Sequence, residues 1–229
     1  MERDITKLMK LLTENVPLHM DLVPFVYIDG IIPMIHHPLI VEFYSEMKNG
    51  LINKQYEYKK TAIEKSKAEN DWLKFIFLHE RPYRFPAMLR VINEQKPISE
   101  DYWKMVSSVW IDSENIFQHI KEWEKIWNTQ IPNRSSIMND EERNTIDNLP
   151  DVVDVWRGVN IKKGVRGMSW TINKDKAVWF SKRFKSKKSF LIHGQMKKHD
   201  ILAYFTGRNE QEIVSLPKNI KIIITEKLI

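Results

Sequence analysis

Three short pieces near the C-terminal end of the chain combine residue types that could do chemistry. They are Trp156-Arg157-Gly158, Ser169-Trp170-Thr171 and Glu210-Gln211-Glu212. The planar fork of an arginine fits phosphate oxygens, and a carboxylate can stabilise a positive charge that develops during a reaction. Because side chains alternate along a strand, a strand that opens at Glu210 would direct Glu210 and Glu212 to the same face, with Gln211 facing away.

Familiar nucleotide, metal and hydrolase motifs are missing from the sequence. The seven glycines form neither GxGxxG nor a loop that ends in Gly-Lys-Ser/Thr, and GxSxG is also absent. The seven histidines show no HExxH spacing, and the chain has no cysteine, which excludes disulfides, thiolate metal sites and cysteine nucleophiles. No metal site is therefore predicted, and any nucleotide must be held without a glycine-rich phosphate loop.

The order Arg, Ser-x-Thr, Glu-x-Glu, each piece beside a predicted strand, resembles the R-S-E class of mono-ADP-ribosyltransferases, which includes cholera-like and clostridial toxins. The resemblance covers about residues 151–225: a helix over residues 175–184 follows the serine strand, and a turn-rich loop over residues 205–209 precedes the glutamates. Trp156 stands where the family commonly has tyrosine, and Trp170 lies inside the serine motif. The resemblance implies an enzyme that takes NAD as co-substrate, releases nicotinamide and transfers ADP-ribose without a metal.

The resemblance also gives each matching residue a task. Glu212 would stabilise the positive charge that develops on the ribose, and Glu210 would activate the acceptor. The residues that it implies for holding NAD are Arg157, Gly158, Ser169 and Thr171, and those for acceptor contact are Arg208, Phe205, Tyr204 and Trp170.

Two acceptor classes remain open at this stage. In the family, Glu-x-Glu usually accompanies transfer to a protein arginine. RNA or single-stranded nucleic acid is favoured instead by the basic C-terminal third, which carries Trp170, Trp179, Tyr204 and Phe205 for base stacking. The implied setting is a toxin of a toxin–antitoxin or phage-defence system, or a phage-encoded host modifier, restrained by an antitoxin or other inhibitory partner. The alternatives are a catalytically inactive ADP-ribosyltransferase-like protein and a basic nucleic-acid-binding interaction protein unrelated to NAD.

The elements that must position these residues predict an α+β fold. Residues 1–130 read as mainly helical, with one helix over residues 55–80, and are expected to form one wall of the NAD or acceptor cleft. Residues 23–43 are ambiguous: Asp29-Gly30 is a hairpin signal, but the two prolines downstream favour irregular structure. Residues 131–150 read as a linker or surface loop that contains one short helix. Residues 151–229 read as the strand-rich catalytic core, with strands at VVDVW, SFLIHG, ILAYF, EIVSL and KIIITE.

Charge divides the chain in the same place. Residues 151–229 carry 17 Lys and Arg against 7 Asp and Glu, a net of +10, whereas residues 1–150 carry a net of −4. Such a basic module attracts phosphate backbones or an acidic partner. The chain shows no signal-peptide pattern and no uninterrupted apolar span, so it is expected to be soluble and cytoplasmic, without a membrane partner.

Overall fold

The computed structural model describes residues 9, 15–114, 116–160, 162–183, 189–207 and 210–228. The chain divides into two compact units, Met1–Lys96 and Pro97–Ile229. Both units combine helices with an antiparallel sheet, which confirms the α+β class. None of the helices in the described ranges is long and apolar enough to cross a membrane.

The first unit contains a three-stranded sheet followed by three helices. Its strands are β1 (Val26–Asp29), β2 (Ile32–His37) and β3 (Ile40–Phe43), and its helices are α1 (Asn49–Ala68), α2 (Trp72–Leu78) and α3 (Arg81–Gln95). Gly30 has φ +66° in the turn between β1 and β2, so of the two alternatives for this segment the hairpin at Asp29-Gly30 is the one that forms, with Pro33 inside β2. The single helix predicted over residues 55–80 is wrong: Asn70, with φ +55°, separates α1 from α2.

The second unit contains four helices and a six-stranded antiparallel sheet in the described residues. The helices are α4 (Ser99–Asp112), α5 (Ile120–Trp127), α6 (Asp140–Asp147) and α7 (Lys174–Lys182). The strands are β4 (Val152–Val159), β5 (Ser169–Thr171), β6 (Ser189–Lys197), β7 (Ala203–Phe205), β8 (Glu212–Val214) and β9 (Lys221–Leu228). Their order in the sheet is β7-β8-β5-β4-β6-β9, so the three short strands lie side by side at one edge.

Four tryptophans from α4 and α5 form an aromatic core between the two helices. Trp103, Trp110, Trp123 and Trp127 are each 1% exposed or less. The Trp110 ring lies 5.0 Å from Trp123 and 5.4 Å from Trp127, in nearly perpendicular arrangements that aromatic rings favour. Burying four such large side chains fixes α5 against α4.

The segment over residues 131–150 contains the one short helix expected there, α6, and it packs against the sheet. Glu142 of α6 is 7% exposed, and its Oε1 accepts hydrogen bonds from the N–H (2.8 Å) and hydroxyl (3.0 Å) of Thr206. The sulfur of Met138 accepts a hydrogen bond from the N–H of Tyr204 at 3.2 Å. These contacts explain why the boundary between units falls at Lys96/Pro97 and not within residues 131–150, where the sequence pattern placed it.

Candidate active site

Cross-strand pairing brings predicted site residues onto one face of the sheet. Thr171 pairs with Trp156 of β4 on one side and with Glu212 of β8 on the other. Glu212 in turn pairs with Phe205 of β7. Residues that pair directly across antiparallel strands project to the same face, so these four side chains form one row.

A split between two strands opens a cleft beside this row. Among the described residues, Trp156 and Thr171 form the single pair between β4 and β5, and the strands diverge beyond it. Arg157 is the first residue of β4 after that pair. Its Nε donates to the carbonyl of Gly164 at 2.9 Å, and its Nη1 donates to the carbonyl of Ser169. The guanidinium therefore spans the gap that the diverging strands leave.

Gly167 makes room for the guanidinium. A Cβ at this position would lie 2.5 Å from both Cζ and Nη2 of Arg157, closer than real side chains approach. Burial lowers the pKa of Arg157 to about 10, while the negative charge of Glu212 acts in the opposite direction and raises it. Arg157 therefore keeps its charge at neutral pH in a partly desolvated site.

Glu212 is a buried carboxylate with a partner that the sequence reading missed. It is 8% exposed, and its Oε1 accepts a hydrogen bond from the indole Nε1 of Trp110 at 3.2 Å. Trp110 lies on α4, 102 positions earlier in the chain. No local pattern could signal so distant a contact, although the apolar face of α4 marks Trp110 as a buried residue.

Glu210 reaches the site by a different route from the predicted one. Strand β8 begins at Glu212, and Gln211 has φ +50°, so the regular alternation expected for Glu210 and Glu212 does not hold. The hydroxyl of Thr171 donates to the backbone carbonyl of Glu210 at 2.8 Å and accepts from the N–H of Asn173 at 3.0 Å. Thr171 thus holds the backbone beside Glu210, and both glutamates still line the cleft.

The cleft has a volume of about 260 Å³ and lies within the second unit. Its lining includes seven of the predicted site residues, namely Arg157, Gly158, Ser169, Trp170, Thr171, Glu210 and Glu212. Trp110 and Phe117 form the wall on the α4 side, and Phe180 and Arg183 contribute from α7 and the residue after it. Residues from three separated motifs therefore meet in one place.

Three of the four residues predicted for acceptor contact are described, and all three are buried. Tyr204 is 2% exposed and, like Trp170, pairs with Ile213 on the face opposite Glu212. Phe205 is 3% exposed on the face of Glu212 and does not line the cleft. Both side chains are buried and neither lines the cleft, which corrects the acceptor contact predicted for Tyr204 and Phe205. The fourth residue, Arg208, lies outside the described residues.

Trp170 lines the cleft with most of its ring buried. It is 3% exposed, and its Nε1 donates to the carbonyl of Gly167 at 2.8 Å. The indole therefore holds the glycine on which the guanidinium of Arg157 lies. Its observed contact is a support for the arginine rather than a stacking surface.

Gly158 has a packing role in addition to its place in the cleft. A Cβ on Gly158 would lie 1.8 Å from the carbonyl oxygen of Ala177 and 2.6 Å from the backbone nitrogen of Ser181. Both contacts belong to α7, so the glycine allows this helix to approach β4 at backbone distance. The resemblance implied a role for Gly158 in holding NAD, and the structure adds this close helix contact.

The described residues contain no group of three or more His, Asp or Glu that could hold a metal ion. The polar groups that converge on the cleft are the guanidinium groups of Arg157 and Arg183, together with hydroxyls and carboxylates. This donor set suits an anionic ligand that carries hydroxyl groups. Comparison of the chain with protein-family models, with curated proteins and with solved structures found no significant match.

Proposed function

We propose that the second unit is an NAD-dependent mono-ADP-ribosyltransferase that transfers ADP-ribose to a macromolecule in the cytoplasm. The acceptor is RNA or another single-stranded nucleic acid, or a protein arginine. We further propose that the protein serves as a toxin in a toxin–antitoxin or phage-defence system, held in check by an inhibitory partner.

One observation carries the proposal. Arg157, Ser169 and Glu212 are separated by up to 55 positions in the sequence, yet they line one cleft together with Thr171 and Glu210. Their order and residue types alone predict them as a set. A chance set of surface charges would have no reason to converge on a split in the sheet.

Arg157 suits the binding of the pyrophosphate of NAD. Two of its N–H groups are used by the carbonyls of Gly164 and Ser169, which fix the plane of the guanidinium. An arginine has five N–H donors, so others remain for phosphate or ribose oxygens. A guanidinium in a desolvated site binds an anion more strongly than one in open solvent.

The two glutamates suit the transfer itself. NAD supplies the ADP-ribose and carries nicotinamide as the leaving group. Glu212, fixed by Trp110, would stabilise positive charge at the ribose carbon as nicotinamide leaves with the electrons of the broken bond. Glu210 would accept the proton of the acceptor as its nucleophilic atom bonds to the same carbon.

The decisive experiment is release of nicotinamide from NAD by the purified chain and by Glu212→Gln. Glutamine keeps an oxygen that can accept from Trp110, so the variant should fold while it loses the negative charge. We expect nicotinamide release to fall by at least about a hundredfold. Glu226→Gln is the matched control, since Glu226 is an exposed carboxylate on β9 and its loss should leave release unchanged.

Labelled NAD added to a cell lysate, separated afterwards into RNA and protein, identifies the acceptor class. Undiminished release by Glu212→Gln would refute the proposed mechanism. Stabilisation of the fold by NAD without release would indicate a catalytically inactive NAD-binding protein, because a ligand that binds only the folded state raises its stability. If NAD neither stabilises the fold nor releases nicotinamide, the protein is a basic nucleic-acid-binding protein.

A further inference from the structure

Helix α7 exposes a large aromatic side chain beside the cleft. Trp179 is 55% exposed, whereas Ala177 and Ser181 on the other side of the helix are fully buried against Gly158 of β4. An exposed tryptophan offers a large ring to a ligand, and tryptophan is enriched at binding interfaces. The packing of α7 on β4 requires the tryptophan to point outward.

The helix face around Trp179 is basic. Lys176, Lys182 and Arg183 lie three or four positions from Trp179, which places them next to it on the helix surface. The guanidinium carbon of Arg183 is 5.6 Å from the centre of the Trp179 ring. Asp175, the one acidic residue within α7, also lies four positions from Trp179, so three positive charges and one negative charge surround the ring.

This face continues into the cleft. The Phe180 ring lies 5.1 Å from that of Trp179, edge to face. Phe180 and Arg183 both line the cleft that contains Glu210 and Glu212. The face around Trp179 therefore adjoins the cleft that the two carboxylates line.

We propose that Trp179, Arg183, Lys176 and Lys182 form a docking surface for single-stranded nucleic acid, which presents an unpaired base to the cleft. Unpaired bases stack on aromatic side chains and on guanidinium planes, and lysines beside them contact the phosphates. An acidic protein would satisfy the lysines but would not require the exposed indole. The role of the bound strand as acceptor rests on the proposed function, whereas its binding does not.

Binding is measured without NAD, from the fluorescence anisotropy of a labelled single-stranded RNA of mixed sequence. We expect Trp179→Ala to weaken binding about tenfold, the effect typical of losing one base stack. Arg183→Ala should reduce the slope of log affinity against log salt by about 0.7, as for one lost phosphate contact on a single strand. Ile224→Ala is the matched control, because Ile224 is 57% exposed on β9 and its loss should leave binding unchanged.

A duplex of the same sequence and an acidic polyglutamate peptide separate the competing explanations. Weaker binding of the duplex, together with sensitivity to Trp179→Ala, supports the inference. If polyglutamate bound as tightly as the single-stranded RNA, or if Trp179→Ala bound RNA as tightly as the unchanged protein, the proposal would be overturned. The basic face would then be a general electrostatic surface. RNA binding is measured independently of nicotinamide release. RNA binding without release would refute the proposed transferase activity and support the docking surface.

Discussion

The position of the Arg157 guanidinium depends on Gly167, which has no side chain. Because a Cβ on Gly167 would lie 2.5 Å from the guanidinium, Gly167→Ala must displace Arg157 without changing any charge. We expect the affinity for NAD to fall about tenfold to a hundredfold, the range for losing a charge-assisted hydrogen bond. Calorimetric titration of both proteins with NAD measures the change.

Gly194→Ala is the control for this prediction. Its Cβ would lie 2.9 Å from Cγ2 of Ile220 and 3.3 Å from Cζ3 of Trp170, so it crowds the same sheet without meeting Arg157 itself. We expect the variant to lose about 1–3 kcal/mol of stability through overpacking, with a smaller loss of NAD affinity than Gly167→Ala. Equal losses of affinity in both variants would show that crowding of the sheet, not the position of Arg157, governs binding.

The lowered pKa of Arg157 predicts an alkaline limit for NAD binding. With a pKa of about 10, caused by burial and partly opposed by Glu212, the guanidinium loses its proton well before an ordinary arginine. We expect NAD affinity to fall about fourfold from about pH 9 to about pH 10.5, since the pyrophosphate needs the charged form. An Arg157→Gln variant should bind NAD weakly and show no such fall in affinity. A fall that persisted in this variant would come from lysine side chains and not from Arg157.

The same pKa shift has a consequence for stability. The folded pKa of Arg157 lies below the unfolded value, so burial of the charged guanidinium opposes folding at neutral pH. That opposition is relieved as the pH rises through about 10 and the folded protein releases the proton. The site therefore holds a charge that the fold alone would not favour, which is typical of binding sites.

The hydrogen bond from Trp110 to Glu212 predicts the effect of removing one N–H group. Trp110→Phe keeps an aromatic ring in the core but leaves Oε1 of Glu212 without this donor. A hydrogen bond to a buried charged group contributes about 1.5–3 kcal/mol, so we expect a comparable loss of unfolding free energy and slower nicotinamide release. Chemical denaturation and a release assay measure the two effects.

Trp127→Phe tests the same substitution in the same aromatic cluster. Among the described residues, Nε1 of Trp127 is buried without a hydrogen-bond acceptor. Removing an N–H group that lacks a partner should cost little beyond the smaller ring. If both variants slowed release equally, the contribution of Trp110 would lie in core packing and not in its contact with Glu212.

At the scale of elements, helix α6 holds the segment that follows β7 and precedes Glu210 and Glu212. Glu142 closes a capping box with Asn139 at the start of α6, and the same carboxylate binds the backbone N–H of Thr206. We expect Glu142→Ala to lose about 2–4 kcal/mol, from one helix cap and one buried charge-assisted hydrogen bond. The amide hydrogen of Thr206 should also exchange faster, as measured by NMR or mass spectrometry.

Glu141→Ala provides the control for this prediction. Glu141 lies in the same first turn of α6 but is exposed, so it shares the helix-dipole effect without the contact to Thr206. Its loss should cost less than about 1 kcal/mol and leave the exchange of Thr206 unchanged. Faster exchange in both variants would attribute the protection of Thr206 to α6 as a whole.

Local sequence patterns predicted the strands well because each depends on neighbouring residues. Short apolar runs between turn signals located β4, β6, β7, β8 and β9, and the Asp29-Gly30 turn signal marked the first hairpin as one of two alternatives. The patterns failed where a single backbone angle interrupts an element. Asn70 ends α1 and Gln211 delays the start of β8, both through positive φ values that residue type alone does not require.

The candidate site was predictable only in its sheet residues. Arg157, Ser169, Thr171 and Glu212 follow from motifs on adjacent strands, whose pairing brings them together. Trp110 comes from a helix with no counterpart in the motif pattern, and Gly167 is recognisable only once the position of Arg157 is known. Contacts between distant elements require the tertiary structure.

At the scale of the whole molecule, the boundary at Lys96/Pro97 predicts which fragment folds. A fragment of residues 97–229 contains α4, α5 and α6 with the complete six-stranded sheet. We expect it to unfold cooperatively and to release nicotinamide as the full chain does. Circular dichroism during thermal unfolding, with the release assay, tests both expectations.

A fragment of residues 151–229 is the informative comparison. It retains every strand of that sheet but lacks Trp110, Met138 and Glu142, which bind Glu212, Tyr204 and Thr206. We expect it to lack a cooperative transition, because the buried face of the sheet loses its covering helices. If this fragment were folded and active, the domain boundary would lie within residues 131–150 and not at Lys96/Pro97.

The tryptophan cluster makes the protein its own optical probe. Neighbouring rings among Trp103, Trp110, Trp123 and Trp127 have centres 5.0 to 5.7 Å apart, close enough for their ultraviolet transitions to couple and give strong near-ultraviolet circular dichroism. Because the indole of Trp110 also donates to Glu212, a ligand that moves this carboxylate tilts one member of the coupled set. The near-ultraviolet spectrum should therefore change when the cleft fills, without any attached label.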